Sequence, residues 1–302
     1  MVKHQRHIIF IINPISGTRT KKDLQSYIEQ ETAARKIPFK IFPSVADGDY
    51  HFLNDYIRQH HVTDIVIAGG DGTVSQAIGS LMHHPVNFGI IPCGSGNGLA
   101  LAAGIPKKTE KALEIIFSGE AQETDGFRVN EQFACMLCGL GFDAKVAHDF
   151  AKQSKRGLST YVKQVLKNFF GAKAHRFEIT VQNHKVELEA FLFCIANSNQ
   201  FGNKVTIAPK ASLSDGLLDI VIIPKQNKVS VLWQTLRQLR GRKKLQDGLQ
   251  PQKEKGLIYF QTEKISIKNV SGALMHLDGD PAETPDHLSI AVSKKAFRLL
   301  RP

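Results

Sequence analysis

The sequence predicts an α/β domain followed by a mainly antiparallel β-domain, and three observations carry that expectation. In the first 120 residues, short β-rich apolar runs alternate with stretches of helical period. Three of those runs end in glycine-rich turns. After about Asp125, strand-like runs joined by short polar turns replace the alternation. Continuous apolar strands separated by helices mark a parallel sheet covered on both faces, and strand following strand marks a sandwich or barrel.

Ile8–Ile12 comes first, a buried strand stopped by Asn13-Pro14. Its apolarity resembles a short signal core, but no small-residue cleavage site follows. Strands are expected at Phe39–Phe42, Ile65–Ala68 and Asn87–Ile91, with helices over Lys21–Arg35, Tyr50–His60 and Val74–Met82 between them and Lys107–Phe117 after them. Further on, Phe133–Gly141, Arg176–Val181, Val186–Ala196, Gly216–Ile223, Leu257–Val270 and Leu288–Val292 read as strands. Asn183-His184-Lys185 is a candidate hairpin turn. The expected division is 1–125 and 126–302, the last strand and tail either staying in the second domain or returning to the first.

The 302 residues carry 39 Lys+Arg against 28 Asp+Glu, a formal charge of +11. With 42% hydrophobic and 22% charged residues, disorder is excluded. The length suits two domains with a substantial core. The positive balance predicts an anionic partner: a nucleotide, a nucleic acid or a membrane surface. Cys93, Cys135, Cys138 and Cys194 are too few for a disulfide framework, which fits a reducing cytoplasmic setting. No apolar run approaches the ~20 residues that span a bilayer, so membrane contact is expected to be peripheral.

The three turns follow the first, third and fourth strands: Asn13-Pro14-Ile15-Ser16-Gly17, Gly69-Gly70-Asp71-Gly72-Thr73 and Gly94-Ser95-Gly96-Asn97-Gly98. In open α/β sheets ligands bind at that edge, and glycines let backbone N–H groups approach phosphate oxygens. Two nucleotide fingerprints fail. No turn supplies the Gly-Lys-Ser/Thr of a P-loop, and Leu99 occupies the place of the third dinucleotide-binding glycine. Asp71 is the informative residue. A carboxylate among phosphate-binding amides repels the ligand unless a cation bridges them or it accepts a proton, and both tasks belong to phosphoryl transfer. The plain alternative is an Asx-type turn residue.

Ile67-Ala68-Gly69-Gly70-Asp71-Gly72-Thr73 and Ile91-Pro92-Cys93-Gly94-Ser95-Gly96-Asn97 resemble the signature of the diacylglycerol kinase catalytic-domain family. The Gly-Gly-Asp-Gly-Thr turn is shared with NAD kinases and phosphofructokinases, so the resemblance implies their kind of parallel sheet for the first domain. Asn13 through Gly17, Ser214-Asp215-Gly216-Leu217-Leu218-Asp219 and Leu277-Asp278-Gly279-Asp280 resemble the family's other landmarks, in its order. The resemblance implies an ATP- and Mg²⁺-dependent lipid kinase acting on a primary hydroxyl, diacylglycerol first, in a cleft between the domains. A sphingoid or ceramide kinase, a NAD kinase and an inactive nucleotide- or lipid-binding regulator are the alternatives.

Position by position, it implies ATP contacts at Asn13, Pro14, Ser16, Gly17, Ser44, Gly69, Gly70, Asp71, Gly72, Thr73, Ser75, Gly94, Ser95, Gly96 and Asn97, with Val74 beside them. It implies a structural Mg²⁺ at Asp215 with the carbonyls of Ser212 and Leu217; a turn before the following strand is the plain alternative. The family commonly reads Asp-Gly-Glu in the last motif, with Glu as the base. Here Asp280 replaces it about one methylene short, so either the backbone compensates or Asp278 or Asp71 takes that role.

Other features read as structural. Cys135 and Cys138 have metal-site spacing but lack a second ligand pair, so packing is expected. His60-His61 and His83-His84 end helices, and His276 fits a strand position. The basic residues of Lys152–Arg176 and Arg237–Lys244 come with no nucleic-acid motif, so no nucleic acid is expected as partner. Val229, Leu232, Trp233, Leu236 and Leu239 form a helical stripe ending in Arg240, Arg242, Lys243 and Lys244, either a packed helix or one facing a membrane.

Overall fold

A computed structural model describes residues 6–14, 21–153, 157–200, 206–227, 246–247 and 256–302. The chain divides into two units: one runs to Thr124 and takes in Lys295–Pro302, the other is Asp125–Lys294.

The first unit contains β1 (Ile8–Ile12), α1 (Lys21–Ala34), β2 (Phe39–Pro43), a 3₁₀ turn (His51–Leu53), α2 (Asn54–Gln59), β3 (Asp64–Gly69), α3 (Asp71–Leu81), β4 (Asn87–Pro92), α4 (Gly98–Ala102) and α5 (Thr109–Ser118). All pairings among β2, β1, β3 and β4 are parallel, in that order. Ile8 stands beside Asp64 and Asp64 beside Asn87, so the strands end level with one another. That register aligns the loops that follow them. Asn13 N–H donates to the Ala68 carbonyl at 2.9 Å, Ser44 N–H to Ile12 at 3.0 Å and Cys93 N–H to Gly69 at 2.9 Å. Ile8, Phe10, Ile12, Val66, Ala68 and Ile91 of the sheet pack against Leu24 and Ile28 of α1 and Leu113 and Ile116 of α5. The helical period read from Lys21–Arg35 and Lys107–Phe117 has its physical source there.

The second unit is built mostly of antiparallel strands. β5 (Glu120–Val129) enters it from the first unit, then come β6 (Gln132–Ala134), β7 (Leu137–Gly141), α6 (Phe142–Ala151), α7 (Leu158–Gly171), β8 (His175–Val181), β9 (His184–Ala196) and β10 (Leu218–Pro224). They are followed by β11 (Gln246–Asp247), β12 (Ile258–Thr262), β13 (Lys264–Asn269), β14 (Met275–Leu277), β15 (Asp280–Ala282) and β16 (His287–Arg301). Phe127, Cys138, Leu140, Phe177, Phe193, Ile195, Ile220, Ile265 and Ile290 form one apolar core. Through its first half β16 pairs with β13, Lys264 opposite Ala291; through its second it lies parallel to β4, Arg298 beside Asn87.

Several elements differ from the expected ones. The hairpin turn sits at Gln182-Asn183, both with positive φ (46° and 69°), and His184 already pairs with Val181. The run 133–141 breaks into β6 and β7, because the N–H groups of Cys135, Met136 and Leu137 turn to the Asp278 carboxylate instead of a strand. Helix α3 starts at Asp71, three residues early: Val74 N–H donates to the Gly70 carbonyl at 3.0 Å, closing a helical turn over what reads as loop. Helix α7 stands within the basic stretch Lys152–Arg176, and α6 lies just before it, over residues for which no element was expected.

Candidate functional site

In the first unit, the expected nucleotide-binding residues gather at the carboxyl edge of the sheet. Gly70 caps α3 in extended backbone, and Asp71 occupies the helix's first turn. Asn13 Nδ2 donates to Thr73 Oγ1 at 2.8 Å, joining the loop after β1 to α3. The loops after β3 and β4 touch backbone to backbone: a Cβ on Gly94 would lie 2.5 Å from the Gly70 Cα. Asn97 fixes the second of them. It is buried, has a left-handed backbone (φ 57°), accepts Gly94 N–H at 2.8 Å and donates back to the Gly94 carbonyl at 2.6 Å. Ser95 is exposed, Ser44 half-buried behind β2, and Ser75 buried on α3. Ser16 and Gly17 lie outside the described residues, as does the stripe from Val229 to Lys244.

What this edge can do follows from its parts. The N-terminus of α3, an 11-residue helix, carries partial positive charge beside glycines that keep side chains out of the way, an arrangement that receives phosphate.

In the second unit, β14 and β15 form a hairpin with Leu277 opposite Asp280 and only Asp278-Gly279 between them. Their φ angles, 49° and 90°, are those of a type I′ turn, for which Asp-Gly is a preferred pair. Asp278 is buried, and its carboxylate accepts three backbone N–H groups: Cys135 at 2.8 Å on one oxygen, Met136 at 2.9 Å and Leu137 at 2.8 Å on the other. Its own N–H donates to the Leu137 carbonyl at 2.8 Å. Asp280, by contrast, is exposed at the head of β15, and Pro281 after it restricts its backbone to extended conformations.

Ser212, Asp215 and Leu217 lie in the loop before β10. Asp215 is exposed and its Oδ1 accepts Leu217 N–H at 3.0 Å, while Ser212 Oγ accepts Ser214 N–H at 3.4 Å. The loop is anchored by Asp125, a buried residue the sequence reading passed over, whose Oδ2 accepts Gly216 N–H at 2.7 Å. Loss of solvation raises the Asp215 pKa above the ordinary carboxylate value, and the nearby Asp125 charge adds to the rise. Buried Asp219, held by Tyr259 and Gln261, is pushed up to about 6, again by burial first. Cys135 and Cys138 are buried free thiols, Cys138 within the apolar core of the second unit. Asp125 carried no local signal in the sequence, because the residues before it, Glu120-Ala121-Gln122-Glu123-Thr124, are mostly polar.

A parallel-sheet unit with glycine-lined loops and a helix N-terminus at its carboxyl edge, joined in one chain to a mainly antiparallel unit with an exposed carboxylate on a fixed turn, suits phosphoryl transfer. The pattern described as the diacylglycerol kinase catalytic domain matches residues 7–129, and that of the YegS C-terminal NAD kinase beta sandwich-like domain matches 137–299. The chain is 30% identical over 261 residues to a "Probable lipid kinase YegS-like" of Citrobacter koseri, covering 83% of each. To a "Diacylglycerol kinase" of Bacillus subtilis it is 25% identical over 277 residues, 89% of this chain and 88% of that one. A crystal structure of a diacylglycerol kinase from Bacillus anthracis superposes with a TM-score of 0.73 over 100% of this chain and 98% of that one; at 19% identity this likeness speaks to the fold. The chain belongs to the family of lipid kinases that couples a diacylglycerol kinase catalytic domain to a YegS-type C-terminal domain. It is an ATP-using kinase. Among the described residues no helix is long and apolar enough to cross a membrane.

Proposed function

We propose that this kinase transfers the γ-phosphoryl group of ATP to the primary hydroxyl of diacylglycerol, working in the cytoplasm at a membrane surface. The observation that carries the reading is the contrast within one turn: Asp278 is buried under three N–H donors, while Asp280 stands exposed two residues on. Of the two, only Asp280 lies at the surface, where a substrate hydroxyl can approach it. Asp280 takes that proton as the oxygen attacks the γ-phosphorus; the new O–P bond forms, the bond to the bridging oxygen breaks, and ADP leaves. In the other unit the edge formed by Asn13, Gly69–Thr73 and Gly94–Asn97 receives the phosphates, Asn97 acting through the Gly94 loop. Ser16, Gly17, Ser44 and Ser75 complete the proposed nucleotide set.

Magnesium fits the residues present. Ser212, Asp215 and Leu217 offer a carboxylate and carbonyl oxygens, the hard donors that ion takes. Asp71 would hold a second ion accompanying ATP. Bound there, the metal supplies neutralisation of phosphate charge.

Membrane contact is supported by α7. Val162 and Leu166 are 46% and 61% exposed, one turn apart, with exposed Lys163 and Lys167 next to them. An apolar ridge edged by lysines suits an anionic bilayer. Transfer from labelled ATP across diacylglycerol, monoacylglycerol, ceramide, sphingosine, phosphatidylglycerol and NAD tests the proposal. Labelled phosphatidic acid is the expected product; label on ceramide or sphingosine alone rejects diacylglycerol as acceptor, and label on NAD alone rejects the whole reading.

A further inference from the structure

His276 is buried, and the phosphoryl transfer above makes no use of it. It stands on β14 directly opposite Gly139 of β7. No side chain could occupy position 139: a Cβ there would lie 2.0 Å from Asp143 Oδ2 and 2.3 Å from His276 Nε2. The vacated space is taken by the Asp143 carboxylate, from the first turn of α6, 3.3 Å from His276 Nε2. The other ring nitrogen, Nδ1, accepts the backbone N–H of Gly279 at 3.3 Å. A nitrogen that accepts carries no proton, so the neutral ring holds its hydrogen on Nε2 and donates it to Asp143. Helix α6 grips the same strand a second time, His148 Nε2 donating to the Met275 carbonyl at 2.8 Å.

Gly279 immediately precedes Asp280. On its other side Asp278 is pinned by the 135–137 amides, and beyond Asp280 stands Pro281. The remaining freedom is the orientation of the Gly279 peptide, and the His276 ring holds it. We propose that His276, kept in one tautomer by Asp143, is a positioning residue for the kinase reaction: its Nδ1 fixes the Gly279 amide and thereby the place of the Asp280 carboxylate. This rests on the reading of Asp280 as the proton acceptor. Neither His276 nor Asp143 touches substrate; both act through the turn.

The test measures kcat, both KM values and thermal melting of the full chain on diacylglycerol in mixed micelles. His276→Asn keeps an acceptor oxygen in the place of Nδ1, whereas His276→Gln moves its polar group out to the place of Nε2. Asp143→Asn removes the partner that selects the tautomer. His276→Gln and Asp143→Asn are expected to lower kcat by roughly 10- to 100-fold, the cost of a misplaced group, with KM for ATP unchanged. His276→Asn is expected to stay within about threefold of wild type in kcat. If His276→Gln does not fold, the isosteric Asp143→Asn carries the test. Wild-type kcat in His276→Gln and Asp143→Asn, with Asp280→Asn inactive, overturns the positioning role alone. A folded His276→Asn as slow as His276→Gln overturns it too, because bulk and not the acceptor then matters. An active Asp280→Asn overturns the proton-acceptor reading itself, and the positioning role with it.

Discussion

Gly70 and Gly94 meet through their backbones, so close that a methyl group on Gly94 would stand 2.5 Å from the Gly70 Cα. The loops after β3 and β4 are therefore one packed body, and Gly94→Ala must push them apart. Overpacking of this kind costs about 1–3 kcal/mol. Denaturant melts should show that loss together with a raised KM for ATP; an unchanged KM would mean that the spacing of the two loops does not shape the nucleotide site.

Asp71→Asn keeps the size of the side chain and removes its charge from the first turn of α3. The variant should fold, with turnover lowered by at least ~100-fold, as for a positioned electrostatic or proton-transfer group. Steady-state kinetics beside a thermal melt decide it, and near wild-type turnover would return Asp71 to a turn-and-helix role.

The two acids of the hairpin should separate cleanly. Asp280→Asn should abolish transfer while leaving the melting temperature intact, and Asp280→Glu should be tolerated, since it lengthens the same carboxylate. Asp278→Asn should instead unfold more easily, because an amide cannot accept all three N–H groups, and a buried donor left unpaired costs about 1–3 kcal/mol. A stable, inactive Asp278→Asn beside an active Asp280→Asn would reverse the assignment.

Magnesium at Asp215 would bind the folded protein and raise its melting temperature with concentration. Asp215→Asn should flatten that dependence, with calcium as the control ion. Parallel titration curves for the two proteins would leave Asp215 as the residue that closes its own turn onto Leu217.

Lys163→Gln with Lys167→Gln should weaken sedimentation with phosphatidylglycerol vesicles by about fivefold per lysine, from roughly 1 kcal/mol each. Leu166→Ser should weaken it on neutral vesicles as well. Unaltered binding in all three would move the membrane face elsewhere.

The elements legible in the sequence were those whose own pattern decides them. β1, β3 and β4 are apolar runs closed by Asn-Pro or by glycine turns, β2 is β-rich though broken by Lys40, and α1 and α5 show their buried face in their period. What escaped is decided by partners distant in sequence. The break at Cys135-Met136 depends on Asp278, about 140 positions later, whose buried carboxylate claims the local amides. The Asp-Gly pair at 278–279 was a readable hairpin signal, hidden because its strands are three residues each. Most of the candidate nucleotide loops could be read from glycine placement, whereas Asn97's inward turn onto Gly94 and the Asp143–His276 contact have no local pattern at all.

Strand β16 also bears on how the protein is made. Residues 295–302 belong to the first unit, although 170 residues of the second, Asp125–Lys294, are synthesised between them and Thr124. A chain emerging from the ribosome can pair β1, β2, β3 and β4 early, but the edge of β4 stays without its Arg298–Leu299 neighbour until the whole second unit has been synthesised. An unpaired parallel edge is an invitation to wrong partners. Removing those eight residues would leave the whole second unit in place and return the first to the state of a nascent chain, one that the truncation would make permanent.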